Sequence, residues 1–301
     1  MIRITSQHQH HSYWACVVAR NADSHLRATL DSLLNQDLGP EQVIIVNDGS
    51  TDKTGEILGN YADRHADSIE VMNLPDRGYD IRRVPRNINL AWNKAQNKRL
   101  KTQYFMISGD DCRYPRDYAR STISRMNNDA HIAVASGLPR SGRAVSTEHS
   151  PSGSGRMVRC SFWKAIGEEY PVKAGWETWL LYKALEKGLE VKLFDDLIYE
   201  HLRPRGAMHQ FGYWGAAMHA LGYHPLYAFG RIAKNFVTRK TTLKGLVNML
   251  EGYLLAFLGS SDPFISRFEQ PLRDFVRTQQ RHRIARIGSL LTLIRTSGKA
   301  K

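Results

Sequence analysis

Residues 43–54, VIIVNDGSTDKT, decide the fold class. Four apolar residues, all of them β-branched, run into a polar turn and then into a helix start, the pattern of a buried strand followed by a helix. Upstream, YWACVVA (13–19) is a second apolar, β-branched and aromatic run. Between the two, Asp23-Ser24 supplies an N-cap signal, and Leu26, Leu30, Leu33 and Leu34 fall on one helical face before Gly39-Pro40 breaks it. Strand, helix, strand in this order predicts a parallel sheet with right-handed crossovers. Downstream, the spacing predicts a strand near 69–72, a helix over 89–100 (NLAWNKAQNKRL), and a short strand YFMIS (104–108) that ends at Gly109-Asp110-Asp111. A helix after Pro115, a strand IAVASG (132–137), a helix over 179–187 and a strand at 191–194 follow. The Ser-, Gly- and Arg-rich segment 138–156 reads as a mobile loop.

Composition sets the outer limits. The chain has 301 residues, 42% hydrophobic and 24% charged, which excludes a disordered chain, a collagen and a polytopic membrane protein. No apolar run reaches the length of a transmembrane helix, and residues 1–12, with three histidines, read as a flexible tail with no secretory h-region. Cys16, Cys112 and Cys160 are too scattered for a disulfide framework or a CxxC metal site, so a reduced, cytoplasmic chain is expected. The net charge of +13 is uneven: residues 231–301 carry 14 basic and 4 acidic residues, so most of the excess sits in the last quarter. Such a segment seeks an anionic partner, either nucleic acid or acidic lipid.

Two acidic turns follow strands, and in open α/β sheets ligands sit beyond the carboxyl ends of strands. Asp48 lies in the turn after 43–46, and Asp110-Asp111 after 104–108. Read alone, residues 47–52 also suit an Asx turn and helix N-cap. Two adjacent carboxylates repel each other and favour a hard divalent cation with oxygen ligands.

Taken in order, VVARN (17–21), VNDGSTDKT (46–54), AWNKA (91–95), SGDD (108–111), GWETW (175–179) and HLRP (201–204) resemble the motifs of the nucleotide-sugar-dependent glycosyltransferases of family 2. The resemblance implies an α/β, Rossmann-like GT-A catalytic domain over 13–230, followed by a basic, amphipathic helical module over 231–301. It implies that Asp48 binds the nucleobase, with Asn21 and Asn93 among the donor-binding residues. Asp110 would hold a divalent metal, Mg2+ or Mn2+, with Asp111 beside metal and donor sugar. His201 would be a further metal or phosphate ligand, and Arg203 would pair with the diphosphate. An inverting transfer needs a general base. Thr178 stands where the family usually has Asp, which leaves Glu177 as the candidate. Ser108 and Val18 are further departures, replacing a carboxylate and a proline of the family pattern.

The tail separates the two anionic partners. LKGLVNMLEGYLLAFL (243–258) and RHRIARIGSLLTLIR (281–295) place Leu, Ile and Val at helical spacing beside basic residues, the pattern of interfacial helices. A helical hairpin packed on the catalytic domain explains the same spacing. Each basic residue near acidic lipid contributes about 1 kcal/mol. The expected partners are therefore a nucleotide-sugar donor, a lipid-linked saccharide or glycan acceptor, and the anionic cytoplasmic face of a membrane. A nucleic-acid-binding or non-catalytic protein is the alternative, and the Leu-rich tail and acidic turns argue against it.

Overall fold

The computed structural model describes residues 12–141, 144–145, 150–203 and 210–297. The chain divides into two compact units, residues 1–170 with 187–207 and residues 171–186 with 208–301. The tail expected over 1–12 lies outside the described residues except for Ser12, whose carbonyl accepts from Gln103 and Tyr104.

The first unit is built on one sheet. In chain order its elements are β1 (Tyr13–Ala19), α1 (Leu26–Leu34), β2 (Val43–Asn47), α2 (Thr54–Arg64), β3 (Ile69–Asn73), α3 (Arg83–Asn97), β4 (Tyr104–Gly109) and β5 (Cys112–Arg113). After these come α4 (Tyr118–Asn128), β6 (Ile132–Ser141), β7 (Ala144–Val145), β8 (Arg156–Arg159) and α5 (Cys160–Ala165). Helix α6 (Trp176–Glu186) belongs to the second unit, and β9 (Glu190–His201) returns the chain to the first. The strand order is β3-β2-β1-β4-β8-β6-β9-β5, with β7 on β6. Strands β1 to β4 are mutually parallel, and β8 joins β4 antiparallel.

Both faces of the parallel strands are covered, which is why β2 is buried at every position. Alternation along β1 sends Tyr13, Ala15, Val17 and Ala19 into one core with Leu26, Leu30 and Leu33 of α1. Trp14 faces the other way and packs with Trp92 and Phe105, which in turn meet Trp163. Truncating one such buried aromatic to alanine costs about 3–5 kcal/mol.

Several expectations shift. Helix α3 begins six residues before the expected start at 89. The segment 138–156 is not one loop: β6 runs on to Ser141, β7 pairs with it, and β8 starts at Arg156, while 142–143 and 146–149 lie outside the described residues. Strand β9 extends over twelve residues rather than four, because a register shift beside Gly137 lets it keep pairing with β6.

The second unit is helical. It comprises α6, α7 (Phe211–Ala220), α8 (Pro225–Val237), α9 (Leu243–Leu258), a 3₁₀ turn (Pro263–Ile265) and α10 (Gln270–Ser297). Residue 230, the expected boundary, falls inside α8. The α9 range coincides with the sequence expectation because both ends are signalled: Thr242 accepts from the Gly245 amide, and Gly259 ends the helix at φ +91°. Helices α7 and α9 touch backbone to backbone. A Cβ on Gly215 would lie 1.8 Å from the Met249 carbonyl oxygen, and one on Gly252 would lie 1.9 Å from that of Gly212. Buried Arg273 donates to the carbonyls of His219 and Ala220 at the end of α7, where cationic groups are favoured. Among the described residues no helix is long and apolar enough to cross a membrane.

Candidate functional site

The tips of β1, β2 and β4 lie side by side, since Val18 is paired with Val46 on one side and Gly109 on the other. Both acidic turns therefore leave the same sheet edge, and Arg20 ties them together. Its backbone amide donates to Asp110 Oδ2 at 3.1 Å. Its guanidinium donates to the carbonyls of Asp48 and Gly49 and to Asp76 Oδ1, the last at 2.7 Å. Sequence reasoning missed Arg20, because its partners lie 28 to 90 positions away and only the folded sheet gathers them.

On the β2 side the charges are paired. Asp48 is buried and accepts from Arg83 Nε at 3.0 and 3.1 Å. That hydrogen bond raises the arginine's pKa above its ordinary value. The turn is held by its own side chains. Asn47 Oδ1 accepts from the Ser50 amide and hydroxyl, and Asp52 accepts from the amides of Thr54 and Asp23. Burial tends to raise the Asp52 carboxyl, but these bonds outweigh it and its pKa lies below the usual value. Gly49 is required here: φ is +68°, and a Cβ would meet the Asp76 backbone at 2.5 Å. Asn21, at φ +48°, accepts from the Thr51 amide at 2.9 Å and so clips the β1 tip to the same turn. The Asx-type turn expected of this segment is formed, while Lys53 takes the N-cap position of α2 with no side-chain cap.

On the β4 side the charges are not balanced. Asp110 and Asp111 are both buried. Burial, reinforced by the Asp111 charge, pushes the Asp110 carboxyl up to about 6. Arg203 stands 3.6 Å from Asp110 and 3.8 Å from Asp111, beyond hydrogen-bond length. His201 Nδ1 lies 3.6 Å from Asp111 Oδ2 and 3.0 Å from the Arg203 carbonyl oxygen. A carbonyl only accepts, so Nδ1 carries the proton in that bond. His201 reaches this place because β5 pairs with β9, with Cys112 opposite His201.

Asp111, Cys112 and His201 present ligand atoms within 4.8 Å of one another. Two carboxylates and an imidazole are ligand types that Mn2+ accepts, and carboxylates also suit Mg2+. The Cys112 thiol is a soft ligand, unlike the oxygen donors a hard divalent cation prefers, and burial pushes its pKa up. Ser108 is engaged elsewhere: its hydroxyl donates to the Gly109 carbonyl and meets the Tyr114 hydroxyl at 2.9 Å.

Asn93 does not join the site. It is exposed on α3, whereas the face that carries Arg83 carries Asn87 one turn on. Asn87 is buried, and its Nδ2 has no partner among the described residues. Asn93 is expected there on the AWNKA motif match alone, and its position on α3 is a solvent-facing one. Glu177 is exposed in the first turn of α6, in the second unit, where a carboxylate favours the helix dipole. Tyr79 is 46% exposed, and partial burial, with the charges of Arg203, Asp80 and Asp110 acting on it, moves its pKa above the ordinary value.

The family model described as Glycosyl transferase family 2 matches residues 14–187, more than half of the chain. The chain belongs to glycosyltransferase family 2. This family 2 glycosyltransferase is 44% identical over 112 residues to the uncharacterized glycosyltransferase EpsJ of Bacillus subtilis (strain 168). That stretch is 37% of this chain and 30% of EpsJ, so the match spans under a third of the curated relative. Its fold is that of GT-A enzymes of known structure. S. aureus TarS 1-349 in complex with UDP-GlcNAc superposes with a TM-score of 0.56 at 16% identity, covering 81% of each chain. The mannosyltransferase PcManGT from Pyrobaculum calidifontis, in complex with GDP-Man and Mn2+, gives 0.53 at 15% identity, over 88% of this chain and 82% of that one.

Proposed function

We propose that this family 2 enzyme transfers a sugar, with inversion, from a nucleoside diphosphate donor to a hydroxyl of a lipid-linked or cell-surface glycan. One observation carries the reading: Arg20 joins the Asp48 turn and the Asp110 carboxylate at one sheet edge. Asp48, fixed by Arg83, offers a rigid acceptor for a nucleobase N–H. Asn87, with its unpartnered amide on the same helix face, is a second donor-side group. Arg203 has no hydrogen bond to either carboxylate at its present distances and matches the geometry of a diphosphate oxygen pair. Asp111 and His201, with the neighbouring Asp110, would hold a divalent cation, the class of ion that accompanies GDP-Man in PcManGT. When bound, such an ion offsets the negative charge that builds on the departing diphosphate. Glu177 is the proposed base for the acceptor hydroxyl, since Thr178 has no basic group.

The donor class is supported by the neighbours, which hold UDP-GlcNAc and GDP-Man. A peripheral place at the cytoplasmic face of a membrane is supported by the basic C-terminal quarter. The test is a thermal-shift and hydrolysis panel of nucleotide sugars with and without Mg2+ or Mn2+, followed by NMR assignment of the product anomer. Selective, metal-dependent stabilisation by one donor is expected. Equal response to every nucleotide, or retention of anomeric configuration, overturns the proposal.

A further inference from the structure

The exposed apolar side chains of the second unit form a pattern. On α8, Leu226, Phe229, Phe236 and Val237 are 70%, 41%, 41% and 78% exposed. With Ala233 between them they follow helical spacing along one stripe, while Ala228 and Ile232 on the other side are buried. On α9, Leu243, Val247, Leu254, Phe257 and Leu258 repeat the pattern at 64%, 51%, 48%, 55% and 78% exposure. The opposite face of α9, with Gly245, Met249, Gly252 and Ala256, is buried. A surface helix ordinarily presents polar residues to water. Each of these two helices is apolar on its outer side as well as its inner one, and neighbouring exposed apolar groups in such number mark an interaction surface.

Charge names the occupant. Residues 225–258 hold five basic residues, Arg231, Lys234, Arg239, Lys240 and Lys244, against the single acid Glu251. All five are exposed, and Arg239 and Lys240 lie in the turn that joins the two helices. A second copy of this face would set positive charge against positive charge, and like charges across an interface repel. Acidic lipid headgroups complement it, and the apolar stripes fit the boundary between headgroups and acyl chains. Helix α9 has 16 residues, too few to span a bilayer, so it lies along the surface.

We infer that the outer face of α8 and α9 is a monotopic docking surface for an anionic bilayer. The inference deepens the membrane-side reading above. It places the contact on α8 and α9 together, instead of on α9 and segment 281–295, and it is independent of the chemistry at the sheet edge.

The test is co-sedimentation of the full chain with vesicles of phosphatidylcholine alone or mixed with phosphatidylglycerol. Binding to the mixed vesicles that weakens as salt rises is expected. The Val247→Asp/Leu254→Asp double variant should partition roughly tenfold less or weaker still. Its melting temperature and its nucleotide-sugar hydrolysis in solution should stay as in the parent. Lys240→Glu/Lys244→Glu should lose binding to anionic vesicles while its small affinity for neutral ones persists. In Phe257→Trp, brominated acyl chains should quench the new fluorescence. The inference is overturned if the full chain binds neither vesicle, or if both double variants bind like the parent. It is also overturned if sedimentation velocity shows a dimer that Val247→Asp/Leu254→Asp dissolves. Hydrolysis in solution is scored separately, so failure on vesicles and failure of the transferase reading are told apart.

Discussion

The sheet unit and the helical unit treat their apolar side chains in opposite ways. Among the described residues, the sheet unit exposes three large hydrophobics, Tyr79, Leu90 and Ile198, while the helical unit exposes eleven. The sheet unit covers both faces of its parallel strands and concentrates its tension in charge, with Asp110 and Asp111 buried side by side. The helical unit buries a cation, Arg273, near Arg267 and Arg277, but joins its helices by glycine contact and leaves an apolar surface outside. One unit gathers buried charge at a sheet edge and the other leaves apolar side chains at its surface.

The sharpest way to break this contrast is Asp110→Asn. If the sheet unit stores unfavourable charge for ligand binding, the variant should lose about a thousandfold in turnover. Its melting temperature should hold or rise, since a buried like-charge pair has been relieved; paired kinetics and calorimetry measure both. A large drop in stability would instead make Asp110 a structural residue.

The next effect belongs to the helical unit. Gly252→Val forces a side chain into the Gly212 carbonyl, and denaturant titration should show a loss of about 1–3 kcal/mol or more. A neutral outcome would mean that the α7–α9 contact is looser than the backbone distances indicate.

Arg83→Met sharpens the comparison within the sheet unit by unpinning Asp48. Donor KM should rise on the order of tenfold with kcat less affected, since a positioning group mainly for ground-state binding has been removed. Calorimetric titration with the free nucleoside diphosphate should weaken in parallel.

The smallest effect is the pH response of the helical unit. Burial, with help from Arg273 and nearby arginines, lowers the His219 pKa from 6.5 to about 4. The unfolded chain takes up a proton at higher pH than the folded one, so stability is full above about 6.5 and declines as pH falls toward 4. His219→Leu should flatten the melting-temperature profile across that window and change little at pH 7.5.

Much of the sheet edge is legible from sequence because local chemistry and fold agree there. VIIV can only be a buried strand, and Asn47, Ser50 and Asp52 close the turn with their own side chains. Helix α9 is legible for the same reason, with a cap at each end. Helices α7 and α8 are not, since α7 is small and apolar throughout and gives no polar face to mark a period. The arginines are the other loss. Arg20 and Arg83 act only through residues that folding brings to them, and no local spacing announces an ion pair 35 positions apart. Asn87 lies outside the AWNKA segment that carries the resemblance, and only the helix face it shares with Arg83 marks it.

Strand β9 carries His201 into the site on a two-residue ladder with β5. One position earlier, Glu200 is clasped from outside by Arg113 and Arg140. Side chains alternate along a strand, so a slip of one residue would present a carboxylate or a leucine where the imidazole now stands. The two arginines thus add a surface clasp to a register that the β6–β9 ladder sets, at the position next to the imidazole that faces the acid pair.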